Sequence, residues 1–207
     1  MTKQEKVRKV IARLSKLYPN ARTALDYKTP WQLLVATILS ARATDKLVNQ
    51  VTPDLFKKFP DACSVASSAV DEVDKLIRRV NFHNNKAKSI FGAAKVVCLQ
   101  YHGRVPETLA ELDSLPGVAR KTANVVLGDA FGKSEGIVVD THVMRLSHLL
   151  GLSESNDPVK VEQDLMKIVP KKYWIRFAHY LILYGREYHP ARLKSDLGLP
   201  ISDCYVQ

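Results

Sequence analysis

The chain has 207 residues, of which 46% are hydrophobic, and a formal net charge of +10 with its six histidines neutral. This length allows one or two domains with a sizeable core, and the absence of any run of about 18 apolar residues excludes a membrane-spanning helix. The positive charge suits a polyanion such as nucleic acid, although an acidic membrane, a ribosomal partner or solubility alone would also explain it.

Apolar residues recur at helical spacing along almost the whole chain, and no segment alternates cleanly with a period of two. The spacing predicts helices, in chain order, over residues 7–17, 33–39, 47–56, 70–80, 86–101, 108–112, 123–130, 143–150, 159–169 and 174–184. Pro53 is expected to end or kink the third of these helices. We therefore predict an all-α fold of roughly ten helices joined by short loops.

A tight turn directly before a helix stands at residues 115–127, which read LPGVARKTANVVL. Pro116 fixes its own φ and Gly117 permits a positive φ, so the turn is sharp. Backbone N–H groups at such a helix start, together with the positive end of the helix dipole, make a seat for a phosphate group.

This segment and a second one, VDTHV at residues 139–143, resemble the helix–hairpin–helix DNA glycosylases, and within them the endonuclease III-like members. Residues 31–45, 84–87 and 105–107 also fit, so the resemblance covers nearly the whole chain. It implies two helical domains flanking a DNA-binding cleft. Residues 23–133 would form a six-helix domain with the hairpin motif, and residues 1–22 and 134–207 would form the second domain.

The resemblance implies two catalytic residues, Lys121 and Asp140. Lys121 would attack C1′ of a damaged nucleotide, expel the base and leave a Schiff base, after which β-elimination cuts the strand 3′ to the lesion. Asp140 would assist the attack and stabilise positive charge on the sugar. The residues alone also allow roles without catalysis. Lys121 would then be an ordinary exposed surface lysine, and Asp140 would be a helix N-cap.

The resemblance also implies phosphate binding by the hairpin at Gly117, Val118 and Ala119. Ala119 stands where the family usually has a second glycine, and a positive φ at this position would cost alanine about 1–2 kcal/mol. His142, within the second matching segment, is assigned to DNA binding as well.

Arg42 and Phe82 stand where the family fills the gap left by a base that has been flipped out of the stack. Endonuclease III has a glutamine at the first position and usually a leucine at the second. An arginine can hydrogen-bond to the orphaned base and a phenylalanine can stack in the gap. The alternatives are a surface arginine that contacts phosphate and a phenylalanine packed in the core.

The C-terminal region departs from the family. Most relatives carry a Cys-x6-Cys-x2-Cys-x5-Cys pattern that holds a [4Fe–4S] cluster, but the first three positions here are His189, Asp196 and Leu199, and only Cys204 remains near the fourth. One thiolate cannot hold a cluster that normally takes four. We therefore expect no cofactor and no metal, and closure of the second domain by apolar residues between 193 and 201.

Cys63, Cys98 and Cys204 are odd in number and far apart in the sequence. This pattern is not typical of a disulfide framework and favours a reducing cytosol. The N-terminal residues also lack the apolar stretch of a signal peptide. We therefore expect a cytoplasmic protein, associated with the nucleoid if it is bacterial.

The function predicted from the sequence is base-excision repair. The protein would be a DNA N-glycosylase and AP lyase, without a membrane association and as a monomer, acting on double-stranded DNA that contains oxidised pyrimidines or abasic sites. One alternative is a glycosylase for oxidised guanine or for mismatched bases, although mismatch enzymes generally lack a lysine at the position of Lys121. The other is a non-catalytic helix–hairpin–helix DNA-binding protein, which the joint presence of Lys121 and Asp140 disfavours.

Overall fold

The computed structural model describes residues 1–190 and 198–206, so Asp196 lies outside the described residues. Eleven α-helices are formed within the described residues, together with 3-10 turns at Lys171–Tyr173 and Ser202–Cys204. The α-helices are Lys3–Leu17 (α1), Pro30–Ser40 (α2), Asp45–Lys58 (α3), Ala62–Ala66 (α4), Val70–Ile77 (α5), His83–Gln100 (α6), Leu109–Asp113 (α7), Arg120–Phe131 (α8), Thr141–Leu149 (α9), Pro158–Ile168 (α10) and Trp174–Glu187 (α11). No β-strand occurs in this part of the chain, which confirms the predicted all-α fold. None of these helices is long and apolar enough to cross a membrane.

The chain divides into two compact units. The central unit is Ala24–Lys133, and the terminal unit combines Met1–Thr23 with Ser134–Gln207. The central unit contains α2 to α8, and the terminal unit contains α1 and α9 to α11.

The core of the central unit surrounds α2. Thr29 caps this helix by accepting a hydrogen bond from the backbone N–H of Gln32, and Pro30 occupies its first turn, where a missing N–H costs nothing. Trp31 and every residue from 33 to 39 are buried, because α2 packs against α3, α6 and α8 on different sides. These three contacts shield the apolar side chains on every side of α2 from solvent.

α3 continues through Pro53 to Lys58, so this proline does not end the helix. A proline inside a helix removes one backbone hydrogen bond and costs about 3 kcal/mol or more. Val51 and Leu55, two residues to either side, are buried in the core of the central unit, and their packing offsets this cost.

Cys63 on α4 and Cys98 on α6 form a disulfide, with their Cα atoms 5.0 Å apart. The expectation that the cysteines form no disulfide framework is therefore wrong for this pair, and the cysteines do not support the reducing cytosol inferred from them. The two residues are 35 positions apart in the sequence, and only the side-by-side packing of α4 and α6 brings them together. Cys204 is a free, buried cysteine of the terminal unit.

The core of the terminal unit is built on α11, which packs against α1 and α9. Phe177, Tyr180 and Tyr184 of α11 are fully buried there. Ile201 and Cys204, from the segment after the undescribed residues, are buried in the same core. The C-terminal segment, residues 198–206, is thus an integral part of the terminal unit.

Candidate active site and nucleic-acid interface

The hairpin before α8 is closed by a hydrogen bond of 3.1 Å from the Val118 N–H to the Leu115 carbonyl oxygen. Gly117 has a φ of +75°, and a Cβ atom added there would lie 2.3 Å from Cβ of Ser89 on α6. Glycine is therefore required twice at this position, once for the left-handed backbone and once for the close approach to α6. The hairpin is seated directly on α6.

Ala119 has φ −102° and ψ 164°, which is extended backbone, and it is the N-cap residue of α8. Because φ is negative, Ala119 does not pay the free-energy cost that a left-handed backbone would impose on alanine. The alanine side chain offers no hydrogen bond to the first turn of α8. The hairpin of this chain therefore keeps the backbone direction that presents helix-start N–H groups to an anion.

Lys121 lies in the first turn of α8 and is exposed. The opposite side of the helix carries Ala123, Val126 and Leu127, which are buried. This amphipathic pattern directs the lysine side chain to solvent, two residues after the hairpin. Lys121 thus follows the hairpin residues Gly117, Val118 and Ala119 on the first turn of α8, and its catalytic role stays a prediction.

Asp140 is the N-cap residue of α9 in the terminal unit. Its Oδ1 atom accepts hydrogen bonds from the backbone N–H groups of His142, at 2.9 Å, and Val143, at 2.8 Å. The second oxygen, Oδ2, makes no hydrogen bond to any residue that the structure describes. The capping interpretation is therefore correct for one oxygen, and the other can interact with a ligand.

His142 is half-buried against α11. A Cβ atom added at Gly185 would lie 2.8 Å from Nδ1 of His142, and the same nitrogen lies 3.2 Å from an Nη atom of Arg145. Burial lowers the pKa of His142 below its ordinary value, although the nearby Asp140 carboxylate opposes the shift. A lowered pKa disfavours the imidazolium form, which is the form that would bind a phosphate as a cation. Its predicted contact with DNA stays a prediction.

Arg42 and Phe82, which are 40 residues apart, meet in the central unit. The guanidinium carbon of Arg42 lies 5.7 Å from the centre of the Phe82 ring, within the range of a cation–π contact. Phe82 is 58% exposed, so the alternative of core packing is wrong for this residue. Both residues have a positive φ, 54° for Arg42 and 59° for Phe82. The two predicted gap-filling residues thus form one exposed pair, which we name the probing pair.

Sequence reasoning missed Lys86, a buried lysine on α6. Its Nζ atom donates hydrogen bonds to the carbonyl oxygens of Leu39, at 2.8 Å, and Ala41, at 2.6 Å. The sequence did carry a signal for this residue. Lys86 directly precedes Ala87 on the apolar side of α6, and a charged residue is rarely buried there without a partner.

The described residues at the expected cluster positions do not fit an iron–sulfur cluster. Leu199 has no donor atom, and His189 contacts Arg145 and lies in a T-shaped arrangement with the Tyr205 ring. Burial raises the pKa of the Cys204 thiol, whereas a cluster ligand must be a thiolate. Within residues 1–190 and 198–206, no three His, Cys, Asp or Glu side chains are grouped to hold a metal ion.

The family model of the HhH-GPD superfamily base excision DNA repair proteins matches residues 35–171. Endonuclease III of Synechocystis sp. is 49% identical over 191 residues, which cover 92% of this chain and 87% of that protein. Endonuclease III of Escherichia coli (strain K12) is 37% identical over 177 residues, covering 86% of this chain and 83% of that protein.

Two solved structures match over 99% of this chain with a TM-score of 0.91 and 38% sequence identity. One is a trapped endonuclease III–DNA covalent intermediate, of which 96% is covered, and the other is a non-covalent endonuclease III–DNA complex, of which 95% is covered. The chain belongs to the HhH-GPD superfamily of base excision DNA repair proteins. The resemblance predicted from the sequence is confirmed.

Proposed function

We propose that this protein is a bifunctional DNA glycosylase and AP lyase that removes oxidised pyrimidines from double-stranded DNA. The observation that carries the proposal is Lys121, an exposed amine in the first turn of α8, directly after a hairpin whose backbone suits a phosphate. The trapped covalent intermediate of endonuclease III with DNA supports chemistry of this type, because an amine is a nucleophile that forms Schiff bases.

Lys121 attacks C1′ of the damaged nucleotide with its unprotonated amine. The bond from C1′ to the base breaks, and its electron pair leaves with the base, which takes up a proton. The nitrogen then loses protons and forms an imine with C1′ as the bond from C1′ to the ring oxygen opens. Loss of a C2′ proton and expulsion of the 3′ phosphate cut the strand by β-elimination.

Asp140 assists the attack through Oδ2, while Oδ1 holds the carboxylate in place at the start of α9. A fixed negative charge stabilises the positive charge that develops on the sugar as the base departs. The hairpin at Gly117, Val118 and Ala119 binds a phosphate, and the probing pair fills the gap left by the flipped base.

The protein works as a monomer and without a [4Fe–4S] cluster. The donor set supports the absence of a cluster, since the described family positions offer a leucine, a histidine that contacts Arg145 and one buried thiol. The bacterial endonuclease III relatives support a cytoplasmic location, at the nucleoid in a bacterial cell.

Borohydride trapping on an oligonucleotide duplex with one thymine glycol tests the function. Wild-type protein should excise the base and become irreversibly linked to the DNA when the imine is reduced. Lys121→Gln should bind the duplex but lose base removal and trapping. Lys75→Gln, which removes an exposed lysine from α5, is the matched control and should behave as wild type.

Undiminished trapping by Lys121→Gln would place the nucleophile elsewhere. Preferred excision of oxidised guanine from a parallel substrate would change the substrate class. Binding without base removal or strand cleavage by the wild type would favour the non-catalytic alternative.

A further inference from the structure

Lys86 carries a charge in an unfavourable place. It is 7% exposed and lies in the first turn of α6, where the helix dipole disfavours a cation. Burial alone lowers its pKa, because desolvation opposes the charged form. The two carbonyl oxygens that it contacts must offset these costs.

Those carbonyl groups are at the end of α2. The last carbonyl groups of a helix lack partners within the helix, and α2 has no basic residue in its own last turn. Lys86 donates to Leu39 and Ala41, which precede it by 47 and 45 residues. A side chain of α6 therefore completes the C-terminal end of α2, and the two helix ends are joined by one ammonium group.

The residues next to this junction are the probing pair. Arg42 directly follows Ala41, and Phe82 is the N-cap residue of α6. The carbonyl oxygen of Phe82 accepts a hydrogen bond of 3.1 Å from the backbone N–H of Lys86. Both have a left-handed backbone that residues other than glycine rarely adopt. Such conformations persist only where the surrounding structure fixes them.

Other contacts at the junction are weaker or less direct. Nδ2 of Asn81 donates to the Arg42 carbonyl oxygen at 3.4 Å, in an exposed position. Nδ1 of His83 lies 2.6 Å from Oδ1 of Asp74, which ties the start of α6 to α5 and not to α2. The two short Lys86 bonds are therefore the main polar link between the backbone beside Arg42 and the backbone beside Phe82.

We propose that Lys86 is a positioning residue for base extrusion, which holds Arg42 and Phe82 at the spacing needed to enter the DNA stack while it does not itself contact DNA. The inference rests on the proposed function, since it concerns the step that precedes bond cleavage. It assigns a role to a residue that the chemistry at Lys121 does not use.

The test uses two duplexes, one with thymine glycol and one with a ready-made abasic site. Lys86→Met keeps the length of the side chain but removes its donors. It should reduce thymine glycol cleavage at least about tenfold more than abasic-site cleavage, because only the intact base must be extruded. Lys86→Arg, which keeps charge and donors, should restore part of this ratio. Lys88→Met, at an exposed position two residues along α6, is the matched control and should leave the ratio unchanged.

A second readout needs binding but no chemistry. With 2-aminopurine opposite the lesion, entry of the probing pair should change the fluorescence in wild type, and Lys86→Met should abolish most of that change. In a double-mutant cycle, adding Phe82→Ala to Lys86→Met should cause little further loss, since both variants disable one device.

A purely structural role predicts equal losses on both duplexes and additive effects in the cycle, and either result would overturn the inference. If Lys86→Met shows no cooperative melting, Lys86→Gln, which retains one donor group, replaces it in every measurement. Wild-type protein that alters the 2-aminopurine signal but cleaves neither duplex would refute the proposed function. In that case a fluorescence change lost in Lys86→Met would still support the positioning role, and an unchanged signal would overturn it.

Discussion

Asp140 combines two roles in one side chain, and two substitutions separate them. Asp140→Asn retains an oxygen acceptor for the N–H groups of His142 and Val143, so stability should stay near that of wild type. Its single-turnover rate of base removal should fall, because the negative charge is lost. Asp140→Ala should in addition lower the free energy of unfolding by roughly 0.5–2 kcal/mol through the missing cap. Urea unfolding and single-turnover kinetics measure the two effects, and a fully active Asp140→Asn would leave only the capping role.

Gly117 and Gly132 form a natural pair for testing the hairpin. Both have a positive φ, +75° and +64°, but a Cβ atom at Gly132 would meet nothing within 4 Å, whereas one at Gly117 would collide with Ser89. Gly132→Ala should cost only the backbone penalty of about 1–2 kcal/mol. Gly117→Ala should cost more and should also weaken binding to abasic-site DNA, because the hairpin must move off α6. Equal stability losses and unchanged binding in the two variants would show that the contact with α6 does not matter.

At the scale of elements, two basic residues of α1 bind the C-terminal segment through the carboxylate of Asp203. Arg13 and Lys9 both hydrogen-bond to Asp203, and Arg13 also donates to the Pro200 carbonyl oxygen at 3.1 Å. Hydrogen bonds from Arg13 and then from Lys9 hold the pKa of Asp203 well below its usual range. The Asp203 side chain is about half exposed, so its ion pairs contribute only about 1 kcal/mol or less to the free energy of unfolding.

The sign of the resulting pH dependence follows from proton uptake. The unfolded chain binds a proton to Asp203 near pH 3.9, and the folded chain does so only at lower pH. The stabilisation is therefore present above about pH 4 and is lost as the pH falls through the lowered pKa. Wild type should be more stable than Asp203→Asn at pH 6, and the difference should shrink on acidification in urea titrations. A difference independent of pH would show that the ion pair does not contribute.

At the scale of the whole molecule, the purified protein should be colourless and should fold without metal. The terminal unit already closes through the burial of Ile201 and Cys204 and through a hydrogen bond of 2.8 Å between the hydroxyls of Tyr184 and Tyr205. Iron analysis, the visible spectrum and melting with and without a chelator check this expectation. About four irons per chain with a brown colour would contradict it, because a cluster is the expected source of such iron.

Local sequence was sufficient to predict most of the helices and the family. Helix starts are set by residues within one turn, as Thr29 and Asp140 show, and the 3.6-residue spacing marks the buried side of each helix. The hairpin at Gly117 and the exposed amine at Lys121 were predicted for the same reason, since each depends on its immediate neighbours.

Only the tertiary structure decided features that join distant parts of the chain. The Cys63–Cys98 disulfide depends on α4 lying beside α6, and the burial of Lys86 depends on the end of α2 meeting the start of α6. Asp203 likewise finds its partners on α1, 190 and 194 residues away. Sequence by itself determined the helical class, because short-range backbone and capping preferences are encoded locally. The motifs around Gly117 and Asp140 determined the family and, through that resemblance, the catalytic candidates. Packing determined which polar groups are buried, paired and held for function, because burial and pairing are properties of residues brought together from afar.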